Sequence, residues 1–76
     1  MNQSDAIVID AEILGGTPVF RGTRVAIRTL FDYLESSSLD DFLEGYPSVS
    51  RGQAVAVIDL ASNLLNTFTR HHEVAA

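Results

Sequence analysis

The sequence predicts a mostly α-helical domain with short N-terminal β-strands followed by three helices. Three observations predict it. Two short apolar runs, Ile7-Val8-Ile9 and Val19-Phe20, flank the turn signal Gly15-Gly16-Thr17-Pro18. The apolar period becomes helical from Arg28 onward. Two serines, Ser38 and Ser50, stand where helix caps are expected.

Each element follows in order. The β-branched run at Ile7, the glycine-proline turn and Val19-Phe20 give strand, turn and strand. Arg21-Gly22-Thr23 makes a second tight turn, and Val25-Ala26-Ile27 is expected as a third extended piece feeding a helix. From Arg28 to about Ser36, Leu30, Phe31 and Leu34 share one face, with Asp32 and Glu35 on the other. Ser36-Ser37-Ser38 breaks that helix, and Ser38 caps a short second one from Leu39 to about Gly45 with Asp40 and Asp41 in its first turn. Gly45 is expected at the C-terminal cap, Pro47 as the stop and Tyr46 packed back on the preceding turn. Ser50-Arg51-Gly52-Gln53 has the spacing of a capping box and opens a long third helix running to about Arg70. Two short helices, a tight serine turn and a long third helix are the outline of a helix-turn-helix. The first six and last four residues, small or polar, are expected to be loosely held, leaving one domain over 1–76, ordered from about 6 to 70.

The third helix carries more apolar surface than one small domain needs. Ala54, Val57, Ile58, Leu60, Ala61, Leu64, Leu65 and Phe68 spread over roughly 160° of its circumference, and Val55 widens the stripe. One side is therefore expected on its own domain and the other on a second subunit, with Val55, Ile58, Leu60, Leu64 and Leu65 as the candidate dimer contacts. Size points the same way, because a chain of 76 residues hides only roughly 60% of its unfolded surface. With no cysteine, no disulfide adds to that core.

Charge narrows the function. Ten acids face five bases for a net of −5, and all five bases are arginine. A free-standing nucleic-acid binder usually carries a basic excess, since phosphate contacts supply most of its affinity. No run approaches the roughly 20 apolar residues of a bilayer-spanning helix, and Met1 to Asp5 lacks a secretory pattern, so a cytoplasmic protein is expected. The absence of cysteine and lysine removes thiol, Schiff-base and P-loop chemistry. Asp40 and Asp41 are better explained by the helix dipole than as a metal pair, and His71-His72 lack a third ligand nearby. No enzyme activity, cofactor or metal is expected.

Three of the five arginines, Arg21, Arg24 and Arg28, fall in one short segment. Arg21 and Arg24 flank a tight turn and Arg28 follows about one helical turn later, an array suited to bidentate contacts with carboxylates or phosphates. The competing use is pairing within the chain to Asp10, Glu12, Asp32 or Glu35, which would contribute little stability if exposed.

The stretch from Gly15 to Val25, a following helix, Leu43-Glu44-Gly45-Tyr46-Pro47 and a capped long helix closely resemble the prokaryotic family known as domain of unknown function 433. Nearly the whole ordered chain is covered. The sequence departs from that pattern with Ala26 where proline is usual and with Ser36-Ser37-Ser38 where a glycine-containing turn is common. The resemblance implies a winged-helix-like or homeodomain-like fold and, from the family's gene organisation, the antitoxin half of a toxin-antitoxin module paired with a PIN-like nuclease. A toxin site built from metal-binding carboxylates would suit the arginine array of Arg21, Arg24 and Arg28. A second expected toxin contact is the distal third helix, with Leu64, Leu65, Phe68 and Arg70.

An antitoxin that occludes a nuclease, and also represses its own operon by binding operator DNA, is thus the leading expectation. Ser50, Arg51, Gly52 and Gln53 at the start of the third helix are the candidate DNA contacts. The alternatives are a stand-alone helix-turn-helix repressor and a structural dimerisation module. A repressor should carry basic residues at several exposed third-helix positions, and only Arg51 and Arg70 qualify.

Overall fold

The computed structural model describes residues 3–73, with side chains over 5–69. Two strands and three helices follow one another: β1 (Ile7–Val8), β2 (Val19–Phe20), α1 (Ile27–Leu34), α2 (Leu39–Gly45) and α3 (Arg51–Glu73). Single 3-10 turns lie at Gln3–Ala6 and Leu14–Gly16. The chain is mostly helical with a two-stranded antiparallel sheet at its N-terminal end. Ile7 pairs with Phe20 and Val8 with Val19.

Backbone chirality accounts for the connection between the strands. Leu14, Gly15 and Gly16 take φ values of 49°, 65° and 92° in succession. A side chain resists this left-handed region and glycine does not, so the glycine pair lets the chain reverse here. The second turn needs Gly22 for the same reason, at φ 78°. Thr23 then closes it, with its hydroxyl donating to the Phe20 carbonyl (2.8 Å) and accepting from the Val25 N–H (3.0 Å).

Val25-Ala26-Ile27 does not form a full third strand. Only Ala26 bridges to Val19, and Ile27 already begins α1. Ala26 sits at the N-cap with φ −67° and ψ 141° and gives no side-chain cap. Proline is fixed near that φ and loses only an N–H that takes no part in the bridge, where Phe20 and Ile27 are the donors. An Ala26→Pro substitution is therefore expected to stabilise the fold by about 0.4–1 kcal/mol by restricting the unfolded chain. A rise of a few degrees in melting temperature, followed by circular dichroism, checks it; a fall would show that the N–H or the ring's space is needed.

Local chemistry sets the helix starts. Ser38 Oγ accepts from Asp41 N–H (3.1 Å) and Asp41 Oδ2 accepts from Ser38 N–H (3.4 Å), a reciprocal cap for α2. Ser50 and Gln53 do the same for α3, at 3.1 and 3.0 Å. Three expectations need correction. α1 ends at Leu34 with Glu35 as its cap, short of the expected Ser36, as the N–H groups tighten to three-residue spacing, Glu35 on Asp32 and Ser36 on Tyr33. Gly45 is the last helical residue of α2 and Tyr46 is the cap. A Cβ at Gly45 would come into van der Waals contact with the Tyr33 hydroxyl, at 3.4 Å. The first six residues are not all loosely held either: Ala6 is fully buried, and the turn that carries it packs along α3.

The core lies where the ribbon, α1, α2 and the first half of α3 meet. Ala6, Phe20, Leu30, Phe42, Val49, Ala54 and Val57 form it. Phe42 is its hub. Its ring stacks on Tyr46 at 5.0 Å, meets Tyr33 edge-on at 5.8 Å and faces Phe20 at 6.1 Å. Such pairs add to the area they bury. No side-chain N or O atom is buried without a partner among the described residues. No helix among them is long and apolar enough to cross a membrane.

Candidate functional site

The three arginines near in sequence have different surroundings. The Arg21 Nε donates to the Asp5 carbonyl, and the Arg21 carbonyl accepts from Gln53 Nε2 at 2.9 Å. Arg21 thus ties the second turn to the N-terminal turn and to the start of α3. Arg24 borders a cleft of about 300 Å³ with Val8, Ile13 and Val19. It makes no ion pair or hydrogen bond among the described residues. Arg28 borders a different groove, which shares no residue with that cleft, and lies 4.0 Å from Asp32 one turn along α1. That contact is solvent-exposed and of little energetic weight. Of the expected intrachain pairings, Arg28 with Asp32 is the one formed among the described residues.

At the start of α3 the side chains are largely engaged. Ser50 and Gln53 cap one another, Gln53 also holds Arg21, and Arg51 pairs with Asp40 at the start of α2. Gly52 is exposed. The Arg51–Asp40 pair joins the starts of α2 and α3, but it is solvent-exposed and, like Arg28 with Asp32, of little energetic weight.

Distal α3 is different in kind. A helix of 23 residues is about 35 Å long, and only its first half has a domain to lie on. Ala54 and Val57 are buried, while Ile58, Leu60 and Ala61 are half-buried. Beyond them Leu64, Leu65 and Phe68 are 63%, 65% and 62% exposed. They recur at three- and four-residue spacing, so they stand on one side of the helix. No charged residue falls between Asp59 and Arg70. Val55 is exposed on the proximal half. The side chains of Arg70, His71 and His72 lie outside the described set.

An apolar groove beside the ribbon gave no separate signal in the sequence. Ile7, Ile9, Pro18, Ile27 and Phe31 line about 440 Å³, with Arg28 at the rim. Ile9 is 70% exposed and Phe31 38%. An unbroken run of apolar residues reads as a buried strand, and periodicity alone does not reveal that one edge stays open. A third concavity, lined by Tyr33, Ser37, Asp41, Glu44 and Gly45, is polar and acidic. No group of three or more His, Asp or Glu side chains among the described residues could hold a metal.

Comparison with known proteins agrees with this architecture. No curated protein matches the chain. A solved structure that matches is a DUF433 member protein from Anabaena variabilis ATCC 29413, 25% identical, with a TM-score of 0.66 over 95% of this chain and 70% of the other. The family described as Protein of unknown function (DUF433) matches residues 7–61, from the first strand residue to the point where α3 leaves the domain. With more than half of its length matched and its fold shared with a solved member, this chain belongs to the DUF433 family.

Proposed function

We propose that this chain is a cytoplasmic, non-enzymatic protein-binding module, the antitoxin partner of a PIN-like nuclease, and that distal α3 is the surface it offers. The observation that carries this function is the exposure of Leu64, Leu65 and Phe68 on an uncharged helical segment projecting past the core. Exposed large apolar side chains grouped on one helix face suit a hydrophobic groove on a partner. The antitoxin role itself comes from the family resemblance, and α1, the serine turn, α2 and α3 suit its helix-turn-helix form. Arg24, with its uncommitted guanidinium, is the arginine best suited to a second contact with the nuclease's carboxylates.

Operator binding is the weaker function. Ser50, Gln53 and Arg51 are engaged within the chain, and a net charge of −5 opposes approach to phosphates. Purifying the chain together with a PIN-like nuclease encoded beside it, and following RNA cleavage, tests the proposal. A stable complex with cleavage suppressed is expected. Unchanged cleavage in saturating chain would sink it, and a tight operator shift by the chain alone, steeply salt-dependent, would favour the repressor.

A further inference from the structure

We infer that the outer edge of β1 is a self-association surface, on which a second copy of this chain adds its own β1 antiparallel and joins two ribbons into one four-stranded sheet. β2 is occupied on both sides, by β1 and by the Ala26 bridge. β1 is paired on one side only among the described residues.

Register fixes which backbone groups face outward. Phe20 gives its N–H to the Val25 carbonyl and accepts from Thr23 N–H, while Arg21 N–H reaches the Ala6 carbonyl. Facing residues in an antiparallel ladder alternate between exchanging hydrogen bonds and not exchanging them. Val8 therefore exchanges with Val19, and the Ile7 carbonyl and the Ile9 N–H point away from β2. One acceptor and one donor flanking Val8 are self-complementary. About a two-fold axis at Val8, each copy's Ile9 N–H donates to the Ile7 carbonyl of the other, an isologous contact.

Side chains and charge fit the same occupant. In this register Ile9 stands opposite Ile7 of the second copy, on the face of the apolar groove, so the exposed isoleucine is covered and the two grooves become continuous. Residues 6–9 carry no charge, so two chains of net −5 meet on a neutral stretch. Asp5 and Asp10 flank that stretch in sequence, and Arg28 borders the groove beside it. The edge carries no lysine, proline or inward charge against such pairing, and its two-residue length is the one guard it retains. A short ribbon with one groove per copy lies at the low end of specific interfaces, below roughly 1,200 Å², so association should depend on concentration. This contact lies apart from Val55, Ile58, Leu60, Leu64 and Leu65, and does not depend on the nuclease.

Sedimentation of the full chain from about 5 to 500 µM tests it, alongside Ile9→Lys and a triple Leu64→Ser, Leu65→Ser, Phe68→Ser variant. The wild type and the triple variant should dimerise alike, and Ile9→Lys should stay monomeric with an unchanged circular dichroism spectrum. If Ile9→Lys misfolds, hydrogen exchange at the Ile9 amide of the wild type decides, with slowing expected as concentration rises. A wild type monomeric at the top concentration, a dimer of unaltered strength in folded Ile9→Lys, a monomeric triple variant, or an Ile9 amide indifferent to concentration overturns the inference.

Discussion

Replacing Phe42 with alanine is expected to lower the melting temperature by at least about 12 °C. The side chain is fully buried and in ring contact with Phe20, Tyr33 and Tyr46, so its removal leaves a cavity bounded by three other aromatics. Truncations of this kind cost about 3–5 kcal/mol. A chain of 76 residues has a total stability of roughly 4–11 kcal/mol. One substitution thus removes a large part of the whole, and in a domain this size each kcal/mol moves the midpoint by about 4–8 °C. Thermal and urea unfolding followed by circular dichroism measure it. Phe68→Ala provides the contrast, since that ring is mostly in solvent and its loss should change stability by no more than about 0.5 kcal/mol. Equal effects from the two would mean that the hub has been misplaced.

The second large effect concerns binding. Changing Leu64, Leu65 and Phe68 together to serine is expected to weaken the proposed complex with a nuclease at least about 100-fold while the melting temperature holds. Burying one such side chain contributes about 1.5–3 kcal/mol when complete, and these three have close to two-thirds of their surface left to bury. Each 1.4 kcal/mol is about a tenfold change in affinity, so burying what remains exposed on the three reaches the stated loss at the low end of that range. Titration calorimetry of wild-type and triple-serine chains against the nuclease gives the ratio. A folded variant that binds within about threefold of wild type would move the contact elsewhere, with the Arg24 cleft the next place to look.

Both effects bear on what could be read from the chain in advance. Ser38 with Asp41, and Ser50 with Gln53, cap their helices across three residues, and a contact that local is written in spacing. The wide stripe of α3 was legible too, because it exceeds what a small core can cover. The end of α2 differs by one position from the expectation, with Tyr46 rather than Gly45 as the cap, because a ring that stacks on Phe42 fixes where the chain leaves the helix, and stacking is not written in local spacing. The three arginines illustrate the same boundary. Their spacing suggested a single clamp, but the turn at Gly22 and the ribbon send Arg24 and Arg28 to separate hollows, while Arg21 bonds the backbone of Asp5. The open side of β1 was hidden for a related reason, since three consecutive apolar residues look buried until it is known how many strands lie beside them.

Among the described residues the fully packed positions stop at Val57, and the family match stops at Ala61. Substitutions at the exposed positions 64, 65 and 68 are expected to cost the fold little. Under the proposed antitoxin role, partner preference could change while the scaffold is held constant, and two such chains sharing one cell would be insulated from each other's targets by three side-chain changes.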